Sequence, residues 1–458
     1  MIQSSLSSIS EMVEKQRRFY SSHMTKDISY RIKMLKRFRS AVLKYEDNIT
    51  EALHQDLHKS PQEAYLTEIS IVLHEISLHL KHLRKWSKPS RVKTPLHLFP
   101  SRGKIIYEPL GVSLIISPWN YPFNLLMSPL VGAISAGCCA MLKPSPHAPV
   151  VAGVMEEMIK ETFDPRYIGI VQGGRSVNEE LLSERFDLIF FTGSPTVGKA
   201  VMRAAAENLT PVILELGGKS PCIVDKDADI GVAAKRIAWG KTINAGQTCI
   251  APDYLLVHSS VKEELLSGIT AHIEKMYGTD IKSSPYYPRI VNNDAMGRLQ
   301  GLMRDGRIIY GGEADPEERF IAPTVIDEPD PEHPVMQGEI FGPILPVVTF
   351  KEMEEAVEIV NSGEKPLAFY FFGKDRIARE VLKKTTSGGG CINDTILHVA
   401  NYNLPFGGVG NSGMGRYHGQ SSFMAFSNKR SVLKSPTVFD NKLKYPPFRY
   451  FKMLKKFV

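Results

Sequence analysis

From residue 111 the chain alternates short apolar runs with longer stretches of helical pattern. The runs are GVSLIIS (111–117), GCCAMLK (137–143), YIGIVQG (167–173) and DLIFF (187–191). A helix is expected from about Ala148 and another over 177–182. Strands that are apolar on both faces and alternate with helices predict a parallel sheet covered on its faces. The expected class is α/β, of the dinucleotide-binding type, with ligands beyond the carboxyl ends of the strands. At 458 residues and 43% hydrophobic, the chain is too long for one compact domain.

Residues 110–142 contain no charged side chain, a run longer than a membrane-spanning helix needs. Pro118, Pro122 and Pro129, with Asn120 and Asn124, argue against such a span. They interrupt the helix and bring polar groups that lipid cannot satisfy. The run reads as two buried strands joined by a structured loop and a helix. Upstream, residues 10–85 read as helices, with Met34, Leu35 and Phe38, then Ile69, Leu73, Ile76 and Leu80, at helical spacing. His74, Glu75 and His79 lie here, but a zinc helix needs its histidines four apart, and these are five apart. A solvated helix face and no metal site are expected. Residues 88–110, punctuated by Pro89, Pro95, Pro100 and Gly103, read as an extended hairpin leaving a domain. A second α/β segment runs from about Gly217 to residue 410, and 429–433 is a further candidate strand.

The net charge of +7 is mild for this length, and the body of the chain has no dense basic stripe, so no nucleic-acid partner is expected. The exception is 441–458, with six basic residues, no acidic ones, and interleaved Tyr445, Phe448, Tyr450, Phe451, Leu454 and Phe457. This tail is either a membrane-surface contact or an arm packed on the protein or on a second subunit. Five cysteines form neither a paired framework nor a metal motif, and the N-terminus lacks a secretory pattern. A reducing compartment, the cytoplasm, is expected, with the tail able to bring the protein to the inner face of a membrane.

Four segments carry chemistry. DLIFF runs into Thr192-Gly193-Ser194-Pro195-Thr196-Val197-Gly198, a glycine turn opening a helix, which suits a phosphate or is an ordinary strand–helix turn. In Leu214-Glu215-Leu216-Gly217-Gly218, a carboxylate in an apolar flank would have its pKa raised and could serve as a general base, or is a paired Glu at a strand end. In Gly246-Gln247-Thr248-Cys249-Ile250, the cysteine is an exposed nucleophile or a buried small hydrophobe. Asn120, between Pro118 and Pro122, is an oxyanion donor or a turn residue bonding its own backbone. Thr248 and Ile250 suggest an apolar entrance. Glu339-Ile340-Phe341-Gly342-Pro343 and the glycine-dense 401–419 follow, the latter expected to be a loop.

Taken in order, PWNYPFN, KPS, FTGS-x3-G, LELGGKSP, GQTCIAPDY, EIFGP and PFGGVGNSGMGRYHG resemble the aldehyde dehydrogenase superfamily over about 10–435, and its class 3 branch in particular. The resemblance implies Cys249 as nucleophile, Glu215 as base, and Asn120 with the Cys249 N–H as oxyanion hole. It implies NAD or NADP held by Trp119, Lys143, Gly193, Ser194, Gly198, Leu216, Glu339 and Phe341. It also implies an NAD(P)-binding Rossmann-like domain (1–87 and 109–216), a catalytic domain (217–410), and a small β bridging, oligomerising element (88–108 and 425–435) before the tail (436–458). The expected partners are a medium- or long-chain or aromatic aldehyde and a second copy of the chain. Pro146 departs from relatives that carry an acidic residue there; without a carboxylate to repel a 2′-phosphate, NADP is expected to be tolerated beside NAD. Glu215 argues against a relative that hands the acyl group to CoA.

Overall fold

A computed structural model describes residues 6–440, 444–448 and 451–455. Helices Leu6–Ser21, Ile28–Lys44, Glu46–Leu57, Pro61–Ala64 and Ser70–Trp86 fill the N-terminal region, with a π-turn at Tyr65–Ile69 between the last two.

A small antiparallel sheet follows, from β1 (Ser90–Val92) and β2 (Arg102–Pro109). The first large sheet takes β3 (Val112–Ile116), β4 (Cys139–Lys143), β5 (Ile168–Ile170), β6 (Leu188–Gly193) and β7 (Val212–Leu216), all mutually parallel. Every residue of β3 and β4 is buried, because helices cover both faces. Helix Asn124–Ala136 connects β3 to β4 across the uncharged run, and Pro129 sits inside it.

The second sheet is formed by β8 (Pro221–Val224), β9 (Tyr254–His258), β10 (Ile308–Tyr310), β13 (Thr324–Asp327), β14 (Ile344–Phe350), β15 (Ala368–Phe372) and β16 (Gly389–Ile392), with β11 (Ala314–Asp315) and β12 (Phe320–Ile321) as a separate ribbon. Its order is β10-β13-β14-β9-β8-β15-β16, parallel except where β10 meets β13. The chain then returns to the first sheet. β17 (Gly413–Met414) pairs antiparallel with β7, Gly413 opposite Glu215, and β18 (Ser427–Lys434) completes the small sheet beside β2.

The α/β class expected from the alternation therefore holds, and the membrane-span reading is excluded by the fold of 110–142. Among the described residues no helix is long and apolar enough to cross a membrane, and no His, Cys, Asp and Glu cluster could hold a metal.

The solvated face expected for His74, Glu75 and His79 is corrected. His74 is exposed, but Glu75 and His79 are buried and hydrogen-bonded to each other at 3.1 Å. His79 also bonds Ser135, and Glu75 accepts from the Gly419 N–H and the Ser422 hydroxyl. The pair is thus an internal polar tie between helix Ser70–Trp86 and the returning chain. The glycine-dense 401–419 is likewise more than a loop, since it contains β17 and a bridge between Phe406 and Tyr417.

Candidate active site

Polar residues stand at the carboxyl ends of the parallel strands: Ser117 after β3, Lys143 ending β4, Thr192 in β6 and Glu215 in β7. The Ser117 and Thr192 hydroxyls and both Glu215 oxygens are buried without a partner. Buried polar groups normally have partners, so a row of unmet ones at this edge marks where a polar ligand belongs. Lys143 spends one bond on the Pro144 carbonyl, and burial pushes its ammonium down to about 8. Pro146 lies in the turn that follows.

The β6–helix turn is built for close approach. Ser194 caps helix Pro195–Ala206 through the Val197 N–H, and Pro195 occupies its first turn. A side chain at Gly198 would come within 2.7 Å of Leu216, so glycine lets this helix sit down on β7. The helix N-terminus faces the same edge, a setting that favours an anion. Trp119 meets Phe341 edge-on at 5.3 Å. One Glu339 oxygen is buried without a partner, while the Gly218 N–H supports the carboxylate. A Cβ at Gly217 would strike the other oxygen at 1.9 Å, so that glycine makes room for Glu339. Burial, then Asp253, push the Glu339 carboxyl up to about 8. These donors, acceptors and aromatic faces suit the phosphate, ribose and ring of a dinucleotide.

Across the site, helix Ile230–Thr242 runs into a kinked turn in which Asn244 (φ 51°), Ala245 (φ 51°) and Gly246 (φ 71°) are all left-handed. Two non-glycine residues in that region store strain, of the order of 1 kcal/mol or more each. A dense hydrogen-bond set holds them there. Glu63 accepts from the Asn244 N–H, and the Asn244 amide donates to the carbonyls of Asn120 and Gln247. The Gln247 side chain is tied to Asn244, Arg289 and Val291. The turn delivers Cys249, a half-buried cysteine beside which the N–H groups of Cys249 itself and Ile250 favour a thiolate. Burial, then Glu339 and Glu215, oppose ionisation and push the thiol up. Thr248 and Ile250 are buried. Thr248 shares a hydrogen bond with Tyr121, and the Ile250 carbonyl accepts from Tyr370.

Asn120 is buried, and its amide donates to the Gln247 carbonyl at 2.9 Å, which leaves its second N–H free. Its own carbonyl accepts from Lys59 and Asn244. Burial pushes the Glu215 carboxyl well above the usual range, with Arg416 opposing. A Cβ on Gly407 would lie 2.8 Å from Glu215, so the glycine-dense return is what lets chain pass this carboxylate.

The sequence reading missed the support beneath the site. Lys59 and Glu68 form a fully buried ion pair at 2.6 Å. Glu68 also accepts from the N–H groups of Phe123 and Asn124 at the start of helix Asn124–Ala136. Lys59 sits 4.1 Å from the Tyr121 ring centre. In the sequence Gln247 is marked only as a neighbour of Cys249.

A parallel sheet with unmet polar groups at its strand ends, and a cysteine whose thiol feels the buried Glu215 and Glu339 carboxyls, is the frame of an α/β enzyme with a ligand site at the strand ends. The chain belongs to the aldehyde dehydrogenase family, whose model matches residues 3–432, and within it to the class 3 branch; it is an oxidoreductase that acts on aldehydes. It is 47% identical over 443 residues to 4,4'-diaponeurosporen-aldehyde dehydrogenase of Staphylococcus aureus, covering 96% of each chain. It is 43% identical to the dimeric NADP-preferring aldehyde dehydrogenase of Canis lupus familiaris, covering 96% of this chain and 98% of that one. The substrate-bound structure of Staphylococcus aureus AldH superposes with a TM-score of 0.96 at 46% identity, covering 98% of this chain and 99% of the other.

Proposed function

We propose that the protein oxidises a large apolar aldehyde, medium- or long-chain or aromatic, to its acid through a thioester on Cys249. The observation that carries this reading is the pairing of a backbone-supported thiol with Glu215, a buried carboxylate whose oxygens have no partner. Cys249 Sγ bonds to the carbonyl carbon, and the oxygen takes the negative charge. Asn120 Nδ2 and the Cys249 N–H donate to that oxygen. Glu339, Lys143, Trp119, Phe341, Leu216 and the Gly193–Ser194–Gly198 turn would hold the cofactor. When bound, the nicotinamide would supply the hydride acceptor. Loss of the aldehyde hydrogen as hydride re-forms the C=O bond and leaves Cys249 carrying the acyl group as a thioester. Glu215 takes a proton from water as the water oxygen attacks the thioester carbon, the C–S bond breaks, and the acid leaves.

Asn120→Ala removes one of two oxyanion donors. We expect kcat/KM to fall about 10²–10³-fold, measured by steady-state oxidation at saturating cofactor. A change under threefold would remove Asn120 from the oxyanion hole. For the cofactor, Pro146 leaves no carboxylate to repel a 2′-phosphate. NAD and NADP efficiencies are expected within about tenfold of each other; strict NAD use would sink this expectation.

The domain reading follows the sheets. The sheet of β3–β7 binds the cofactor, the sheet of β8–β16 presents Cys249, and the small sheet bridges two copies of the chain. The dimer is supported by the dimeric relative. The basic tail is proposed as a peripheral membrane contact: Tyr445, Phe448 and Phe451 are exposed rather than packed on the body. Residues 441–443, 449–450 and 456–458 lie outside the described part of the tail.

A further inference from the structure

The glycine-dense return carries a cation to Glu215. β17 lies against β7 with Gly413 opposite Glu215, and Tyr417 then bridges back to Phe406. Between these two fixed points Arg416 is set facing Gly407. Its Nη1 donates to the carbonyls of Gly408 and Gly415. The guanidinium is thus clamped by neutral acceptors on both strands of the return. Among the described residues, neither it nor Glu215 makes an ion pair, and both Glu215 oxygens are without a partner.

Glycine keeps the two charges close. A Cβ on Gly407, at a φ of 154°, would lie 2.8 Å from Glu215 Oε1 and 3.0 Å from Arg416 Nη1. Carboxylate and guanidinium therefore stand within about 6 Å of each other, a range over which one charge steadies another. A carboxylate bonded directly to the guanidinium would spend its lone pairs there and be a weak base. At this spacing the cation favours the ionised form and leaves the oxygens to water. Burial pushes the Glu215 carboxyl up, and Arg416 pulls the other way. The other titratable groups that feel this carboxylate are the Cys249 thiol, from the kinked turn, and the Tyr417 phenol, from the return. Neither supplies a cation, and in the acyl-enzyme Cys249 is esterified.

We propose that Arg416 is a positioning residue for deacylation: clamped beside Gly407, it keeps the Glu215 side chain ionised while leaving both of its oxygens open to the attacking water. The inference rests on the reading of Glu215 as the base and deepens it, since Arg416 acts through Glu215 alone. Arg416 is partly exposed, so solvent weakens its pull, and its effect belongs at the lower end of what a neighbouring charge does.

The test follows cofactor reduction by rapid mixing over a range of pH, with acyl-enzyme read in parallel by acid quench and mass spectrometry. Five full-length proteins are compared: wild type, Arg416→Lys, Arg416→Gln, Arg416→Met and Glu215→Gln. Lysine keeps the charge, glutamine keeps a donor for the Gly408 carbonyl without the charge, and methionine keeps neither. We expect Arg416→Gln and Arg416→Met to release the first equivalent of reduced cofactor at the wild-type rate and to accumulate acyl-enzyme. Their later turnover should be about tenfold slower on the acid side of the rise, with the rise moved up by about one pH unit and the full rate regained in alkali. Arg416→Lys should keep the wild-type profile. Neutral variants whose rise does not move, or a lysine variant that shifts as far as the glutamine one, would overturn the proposal. Turnover slowed equally at every pH would also overturn it, leaving Arg416 as a clamp on the return and no more. Glu215→Gln reports separately on the base. If it keeps the rise, the reading of Glu215 fails. If it loses the rise while the neutral Arg416 variants match wild type, only the inference about Arg416 fails.

Discussion

Glu215→Gln is expected to release one equivalent of reduced cofactor per active site and then nearly stop. Glutamine keeps the shape of the side chain in its buried slot but cannot take a proton from water. The attack by Cys249 does not use Glu215, so the first half of the reaction survives and the thioester accumulates. Steady-state turnover should fall about 10²–10⁴-fold, the usual worth of a positioned general base. The pH profile gives an independent sign. Burial raises the Glu215 pKa well above the usual carboxylate range. The base form must therefore be gained as pH rises, and wild-type deacylation should climb with pH above the usual carboxylate range. The variant should lose that limb. Rapid-mixing kinetics of cofactor reduction at several pH values checks both statements. A variant that loses burst and steady state together would place Glu215 in the first half-reaction instead.

The second large effect is on stability. Lys59→Met leaves the Glu68 carboxylate in a fully buried site without its cation. Removing one partner of a buried pair costs about 3–5 kcal/mol. Burial already pushes the Glu68 carboxyl up, with Lys59 and the Asn124 and Phe123 N–H groups pulling the other way. Lys59 also holds the Asn120 carbonyl at 3.0 Å and the face of Tyr121, so the oxyanion donor should lose its position too. We expect a clearly lower urea midpoint and a loss of kcat in whatever remains folded. Lys59→Met with Glu68→Leu should recover only part of the stability, because the Phe123 and Asn124 N–H groups would then be unmet. A single variant as stable as wild type would show that the pair contributes nothing to the support.

Much of this could be read from the chain because it is local. The runs 111–117, 137–143 and 187–191 are buried strands whose apolar character is visible residue by residue. Gly193, Gly198, Glu215 and Cys249 stand in short segments with their own turn chemistry. What escaped is the long-range support. Lys59 meets Asn120 over 61 positions, and Asn120 meets Gln247 over 127, and no periodicity encodes such partners. The sequence does not mark the Ser117 and Thr192 hydroxyls as unmet, because a strand-end hydroxyl looks like any other until its neighbours are known. The burial of His79 is legible in the sequence. Glu75 and His79 are four apart on a helix, and Val72, Ile76 and Leu83 share their stripe, so helical geometry already placed the pair inward. The glycine density of 401–419 was visible, but its reason, the passage of chain beside Glu215 at Gly407 and Gly413, required the fold.

The central claim is that Cys249 carries the acyl group and that water, through Glu215, removes it. The most direct measurement is reduced-cofactor formation by the purified protein with a medium-chain aliphatic aldehyde, NAD and NADP in turn, and no CoA, beside Cys249→Ala. The account predicts steady turnover in the wild type and none in the variant. Turnover that persists in Cys249→Ala, or a wild type that turns over only when CoA is added, would contradict it.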